Sequence, residues 1–242
     1  MFAVIYTELV KKRNMDDYIA IGDQVLYNNH HLVAFNKPNG VPVQPDQTED
    51  PSLLQLGSTY CKTHLHLIHR IDRPVSGLVL FAKRKDAMQA MYEQFRERAV
   101  KKTYLAIVAQ EPPAEEGELV HYLLKKKGKY QTEVLDQPAD EAVEARLNYS
   151  VIGKSDRYFL LQIDLQTGRF HQIRAQLAHI GCPIRGDAKY GFRRRNPDRS
   201  IDLHAWQLWF NHPRTGKEEQ IVAPPPANPL WEAFKIPTPW EE

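Results

Sequence analysis

The sequence predicts an α+β fold: a mixed, mainly antiparallel central sheet flanked by helices and loops, in two lobes with a cleft between them. Three observations lead there. Apolar runs of strand length follow one another in groups, with helical segments interspersed and not in strict alternation, which disfavours a doubly wound fold. The chain of 242 residues is long enough to bury a sizeable core. No Pro-, Gly- or Ser-rich linker divides it, so two lobes sharing one sheet are expected over two independent domains.

The elements follow in order. Residues 1–25 read as an N-terminal leader and 26–242 as one catalytic domain. His31 to Asn36 is an apolar strand that runs into a Lys37-Pro38-Asn39-Gly40 turn. Residues 44–52 are polar and Pro-bounded, as in a loop. Leu78 to Ala82 is a continuous apolar strand. The segment 84–100 is an amphipathic helix, with Met88, Met91, Tyr92, Phe95 and Ala99 on one stripe. Thr103 to Ala109 alternates as a strand, with Tyr104, Ala106 and Val108 on one face and Leu105 and Ile107 on the other. After a loop at Glu111 to Gly117 and a polar hairpin-like region, strands are expected near Arg146 to Ile152 and Tyr158 to Leu165. A helix spans Arg169 to Ile180, with Ile173, Leu177 and Ile180 on one stripe and Gly181 as its stop. Ile201 to Phe210 and Gln220 to Val222 are strands around an Asn211-to-Gly216 turn, and a Pro-rich tail from Ala223 wraps the surface.

Composition narrows the function. No apolar run approaches the roughly 18 to 20 residues of a membrane span. The N-terminus places its apolar residues before its charges, the reverse of a secretory signal, so a cytoplasmic protein is expected. Cys61 and Cys182 are expected as free thiols, and no CxxC pair suggests a zinc ribbon. The net charge of +2 does not itself call for a nucleic-acid partner. The basic residues do cluster, in Lys125, Lys126, Lys127 and Lys129, and again in Arg185, Lys189, Arg193, Arg194, Arg195 and Arg199. Such runs suit either a phosphate backbone or a solvated loop.

Five constellations could carry chemistry. Asp72, in His69-Arg70-Ile71-Asp72-Arg73, sits in a loop abutting a buried strand, with Gly77 permitting close backbone approach. Arginines on either side favour its charged form, as a nucleophile or general base needs. A plain turn aspartate paired with Arg70 or Arg73 fits the local pattern better. Arg169 and Arg174, on one helix near its N-terminus, could form an anion site, or Arg174 could hold a carboxylate by two parallel bonds. Gly186-Asp187-Ala188-Lys189-Tyr190-Gly191 and the arginines after it could track a phosphate backbone. His64, His66 and His69 have a spacing that could ligate a metal, with His171 and His179 in reserve; chance alternation along an extended segment explains it as well. Within Lys101-Lys102-Thr103-Tyr104, the tyrosine could stack on a base or pack in the sheet.

These segments together resemble the RluA family of pseudouridine synthases over about residues 31 to 225. NKPNG is similar to that family's NKPxG turn, and HRIDRPVSGLVLFAK to its HRLDxxTSGLLLxAK signature. KTYLAIV, LQTGRFHQIRAQLAHIGCPIRGDAKYG and LHAWQLWFNHPRTGK match three further blocks in the family's order. Val75 stands where the family usually has Thr, and Gln176 where His is common.

The resemblance implies the pseudouridine synthase fold, in the branch without an extra N-terminal RNA-binding domain. It implies an isomerase that flips a uridine out of RNA and exchanges its C–N glycosidic bond for a C–C bond. Asp72 then matches the catalytic aspartate, Arg174 the arginine paired with it, and Tyr104 the tyrosine against the target base. Arg70 matches the residue that fills the gap left by the extruded nucleotide. The RNA-contacting set is expected to be Arg70, Arg169, His171, Arg185, Lys189, Arg193 and Arg194. The resemblance implies tRNA or rRNA as partner, no cofactor and no metal, and a monomer is expected. A non-catalytic RNA-binding module and a histidine-based metallohydrolase are the rival readings.

Overall fold

The computed structural model describes residues 20–126, 128 and 130–236. Residues 1–19 of the expected leader, and Lys127 and Lys129 of the first basic run, lie outside them. Eleven strands form one sheet: β1 (Val25–Asn28), β2 (Leu32–Lys37), β3 (His66–Leu67), β4 (Ser76–Ala82), β5 (Lys101–Val108), β6 (Glu116–Lys125), β7 (Thr132–Leu135), β8 (Val143–Lys154), β9 (Phe159–Leu165), β10 (Leu203–Asn211) and β11 (Glu218–Val222). The main order is β1-β2-β4-β10-β5-β9-β8-β6-β7, with β11 on β10 and β3 on β4. Among the described residues four α-helices accompany it: α1 (Leu53–Cys61), α2 (Lys85–Arg96), α3 (Gln172–His179) and α4 (Pro229–Glu232).

Every named strand pairing is antiparallel except β4 with β10, where His204 lies opposite Ser76 and Ala205 opposite Gly77. This parallel seam joins the lobe built on β1, β2 and β4 to the lobe that begins with β5. Gly77 makes the seam possible. Its φ is +111°, and a Cβ there would lie 2.3 Å from the Ala205 carbonyl oxygen.

Strand β5 divides the core as its alternation predicts. Ala106 and Val108 join the large cluster with Leu32, Phe35, Val79 and Leu161, whereas Leu105 and Ile107 face a second cluster. That second cluster changes the reading of the tail. Trp231 and Phe234 are buried against Leu105, Ile107, Leu160 and Trp206, so the tail does not merely wrap the surface; it plugs one face of the sheet. Asn228 anchors it by accepting from the Leu230 and Trp231 amides at the start of α4.

Two further differences concern helices and edges. Helix α1 has a Ser52–Gln55 capping box, which the polar residues before it concealed. On α2, Ala87 and Met91 are buried but Tyr92 is 45% exposed, so the apolar stripe is narrower than its spacing suggests. Ile21 and Val25 pack against the main cluster, ahead of residue 26. Cys61 and Cys182 are free thiols. Among the described residues no helix is long and apolar enough to cross a membrane.

Candidate active site

A cleft of about 290 Å³ opens beside the seam. His69, Arg70, Asp72 and Val75 line it from the loop that enters β4, Lys102 and Tyr104 from β5, Phe95 from α2, and Gly168, Arg169 and residues 171–174 from the turn into α3. Sites of this shape form where two lobes meet.

The Asp72 loop is fixed from below. Lys37 is wholly buried, and its Nζ donates to the carbonyls of Pro38 (2.8 Å), Val41 (2.9 Å) and Arg73 (3.2 Å). Arg73 turns away from Asp72: its Nε donates to the Gly40 carbonyl and its guanidinium pairs with Asp46 and Asp50. The turn-pairing alternative for Arg73 is therefore removed. Arg70 is exposed at the rim of the cleft.

The cation that meets Asp72 comes from α3. Arg174 Nη1 donates to Asp72 Oδ2 at 2.8 Å. Its Nε and Nη2 donate to Asp187 Oδ2 and Oδ1 at 2.6 and 2.9 Å, a bidentate pair. Arg174 and Asp187 are 4% and 1% exposed, so this half of the carboxylate–guanidinium–carboxylate chain is nearly dry, whereas Asp72 opens to the cleft. Burial alone would lower the Arg174 pKa, but the bonds and charges of Asp187 and Asp72 outweigh it and raise it. Asp187 was visible only as part of a matching turn; its role emerges from the fold.

Helix α3 begins at Gln172, three residues later than the pattern suggested, because His171 adopts a left-handed conformation (φ 55°). Arg169 and Arg174 do not share the helix, and the expected two-arginine anion site at its N-terminus is not formed. Arg169 sits in the preceding turn, exposed, with its Nε donating to the Glu144 carbonyl. The turn is stitched by the buried Gln172 side chain, whose Oε1 accepts from Thr167 Oγ1 and the Arg169 amide while its Nε2 donates to the Arg146 carbonyl.

Tyr190 holds His171. Its hydroxyl accepts from the Thr132 amide at 2.8 Å and lies 2.9 Å from His171 Nδ1. The hydroxyl proton thus points to Nδ1, and the imidazole proton belongs on Nε2, which is 3.5 Å from Asp72 Oδ2. Burial pulls the His171 pKa down to about 4 despite Asp72, so the ring is neutral at pH 7. Tyr104 stays protonated: burial first, and then the Asp72 charge, raise its pKa.

The remaining sequence candidates are dispersed. Arg185 is held by Asp202 (2.6 Å) and lies over Tyr158, and it does not line the cleft. Lys189 donates to the Tyr130 carbonyl, and Arg193 and Arg194 are exposed on the following loop. The spaced histidines separate as well. His64 and His66 touch each other, whereas His69 turns inward, accepts the Leu80 amide and stacks on Phe95.

A different trio, His121, Asp136 and His179, brings potential ligand atoms within 4.8 Å of one another. Gln176 Nε2 lies 3.0 Å from His121 Nδ1 and also donates toward the Leu119 and Ala145 carbonyls, each at 3.2 Å.

Comparisons with known proteins give the chain a family. The family model for RNA pseudouridylate synthase matches residues 31–179, which include the Asp72 loop, β5 and all of α3. The chain belongs to the RNA pseudouridylate synthase family. Among its relatives, a tRNA pseudouridine synthase C of Haemophilus ducreyi is 36% identical over 219 residues, covering 82% of this chain and 89% of that protein. A ribosomal large subunit pseudouridine synthase C of Yersinia pestis is 29% identical over 226 residues, covering 90% and 70%. The solved structure titled human RNA pseudouridylate synthase domain containing 4 superposes with a TM-score of 0.70 at 26% identity, over 86% of this chain and 90% of that one. The enzyme is thus a pseudouridine synthase in family, and its α+β fold with a large, mainly antiparallel sheet is the fold of its structural neighbours.

Proposed function

We propose that this chain isomerises uridine in tRNA or rRNA, with Asp72 as the catalytic carboxylate, Arg174 as its buried partner and Tyr104 as the platform for the extruded base. The observation that carries the reading is the Arg174–Asp72 contact at 2.8 Å at the edge of an open cleft. Asp72 Oδ2 is taken up by the guanidinium, and Oδ1 accepts no hydrogen bond among the described residues. One oxygen is anchored and the other is left for chemistry.

Isomerisation conserves atoms: the bond from ribose C1′ to uracil N1 breaks and one from C1′ to C5 forms, C5 loses its proton to solvent and N1 takes one up. Attack on the base, attack on the ribose, and removal of a ribose proton all draw on the same ionised oxygen. Inside a helix the base cannot turn, and extruding it costs a few kcal/mol. Arg70 at the rim would fill the gap, while the Tyr104 ring, kept neutral by burial, would offer its face to the pyrimidine. The exposed guanidiniums of Arg169, Arg193 and Arg194, together with Lys189, would meet the phosphate backbone, and His171 Nε2 would face the same Asp72 Oδ2 that Arg174 holds. Arg185, paired with Asp202, would contact RNA only at the edge of that surface.

The test is tritium release from RNA labelled at uridine C5. Asp72→Asn should bind RNA as the wild type does and release no tritium above background. Turnover by Asp72→Asn within tenfold of wild type would refute the assignment.

A further inference from the structure

Lys102 has no stated task in the reading above, and its surroundings are unusual. It lies two residues before Tyr104 on β5, so both side chains leave the same face of the strand and line the same cleft. The ammonium sits 5.5 Å over the Phe95 ring and against the backbone of Gly168, where an added Cβ would come within 3.3 Å of Nζ. Among the described residues it donates no hydrogen bond and pairs with no carboxylate. Its pKa is lowered by burial, with no opposing charge to offset the effect. The other titratable group beside it, His69, is driven down to about 3 by burial and by the Lys102 charge, so it stays neutral and offers no counter-charge. The one carboxylate in the cleft, Asp72, is already engaged by Arg174.

The half-buried Lys102 ammonium is partly withdrawn from water and lacks an anionic partner, which costs free energy that a bound anion would recover. A ligand that brings its own anion removes the cost. Uracil is neutral and cannot do this; a phosphodiester can. We propose that Lys102 binds a non-bridging oxygen of the phosphate adjoining the extruded uridine, and that the absence of a side chain at Gly168 leaves room for that phosphate. The inference rests on the functional reading above and adds an anchor inside the cleft, distinct from the exposed arginines outside it. Anchored there, the backbone fixes how deeply the nucleoside enters between Tyr104 and Asp72.

The test compares wild type, Lys102→Met and Lys102→Arg for binding to unmodified tRNA and rRNA-fragment transcripts across a salt series, beside tritium release and thermal unfolding. Lys102→Met should bind about tenfold more weakly at low salt, and its slope of log affinity against log salt should fall by about 0.7, one single-strand phosphate contact. Its Tm should equal or exceed that of wild type, because an uncompensated ammonium has been removed. Lys102→Arg should restore the slope but not full turnover, since the larger head crowds Gly168. An unchanged slope in Lys102→Met, or a lowered Tm that accounts for its lost affinity, overturns the proposal. A wild-type chain that neither binds these transcripts nor releases tritium instead sinks the functional reading itself, and Lys102 with it.

Discussion

Asp187 offers the sharpest probe of how the site is held, because it touches the chemistry only through Arg174. Asp187→Asn keeps the shape but removes the charge and replaces one acceptor with an amide donor facing a guanidinium. Two buried bonds of 2.6 and 2.9 Å depend on that carboxylate. Breaking a buried pair costs about 3–5 kcal/mol when the remaining charge is stranded. Here Arg174 keeps Asp72, so the lower figure, about 3 kcal/mol, is expected. A domain of ordinary stability, about 5–15 kcal/mol, survives that loss. The effect on rate should be larger than the fold's survival suggests. Freed from its bidentate hold, the guanidinium can swing, and a displacement of about 1 Å at a reacting group can cost about a hundredfold. Asp187 is 1% exposed and reaches no RNA, so kcat should fall about a hundredfold with KM nearly unchanged in steady-state tritium release. Arg174→Lys, whose single ammonium cannot span both carboxylates, should lose a similar amount, and the double variant should lose little more than either alone. A folded Asp187→Asn enzyme with wild-type kcat, or strict additivity with Arg174→Lys, would refute the claim that Asp187 acts by positioning Arg174.

Three further outcomes are expected. His69, His171 and His204 are held neutral by burial, with pKa values near 3, 4 and 4. Their folded values lie below the ordinary 6.5, so the stability they confer is complete above pH 6.5 and is lost as pH falls toward 4. By linkage each should withdraw about 2 kcal/mol between pH 7 and pH 5; urea melts at the two pH values check this, and equal stabilities would contradict it. Trp231→Ala should cost about 3–5 kcal/mol, as large-to-small core changes do, read as a lowered urea midpoint with an unaltered Asp72 site; a loss below 1 kcal/mol would mean the tail is only a wrap. Tyr104→Phe should keep tritium release within tenfold of wild type, because the hydroxyl makes no hydrogen bond among the described residues, while Tyr104→Ala should lose at least ten times more than Tyr104→Phe. Equal losses in the two variants would assign the work to the hydroxyl.

Much of this architecture was legible before any coordinates, and the reason is local. The alternation along β5 fixed its two faces, because burial on both sides leaves a period-two record in the chain. The continuous apolar run of β4 read as a strand from its length, and all seven residues of that strand are buried. What escaped depended on long-range geometry. Arg73 stands next to Asp72 in sequence yet pairs with Asp46 and Asp50, while the partner of Asp72 comes from 102 residues away. The start of α3 was misplaced because a left-handed His171 has no sequence signature such as glycine provides. The tail was misread because Pro-rich composition says nothing of two aromatic residues that find an apolar sheet face.

The same contrast explains why the cleft lies where it does. Antiparallel neighbours can be joined by tight turns, but a parallel pair needs a long crossover. The single parallel pairing, β4 with β10, therefore joins strands from distant parts of the chain, and the loops entering them are free to diverge in space. Gly77 lets the two backbones touch, so the loop before β4 delivers Asp72 beside β5. Helix α3, six of whose eight residues are buried, brings a guanidinium against it. An Ala at position 77 would meet the Ala205 carbonyl at 2.3 Å and would have to pry the seam apart. Since the seam carries both Asp72 and the fold's continuity, Gly77→Ala should lower the urea midpoint and tritium release together, and a stable, fully active variant would show that the seam does not set the site.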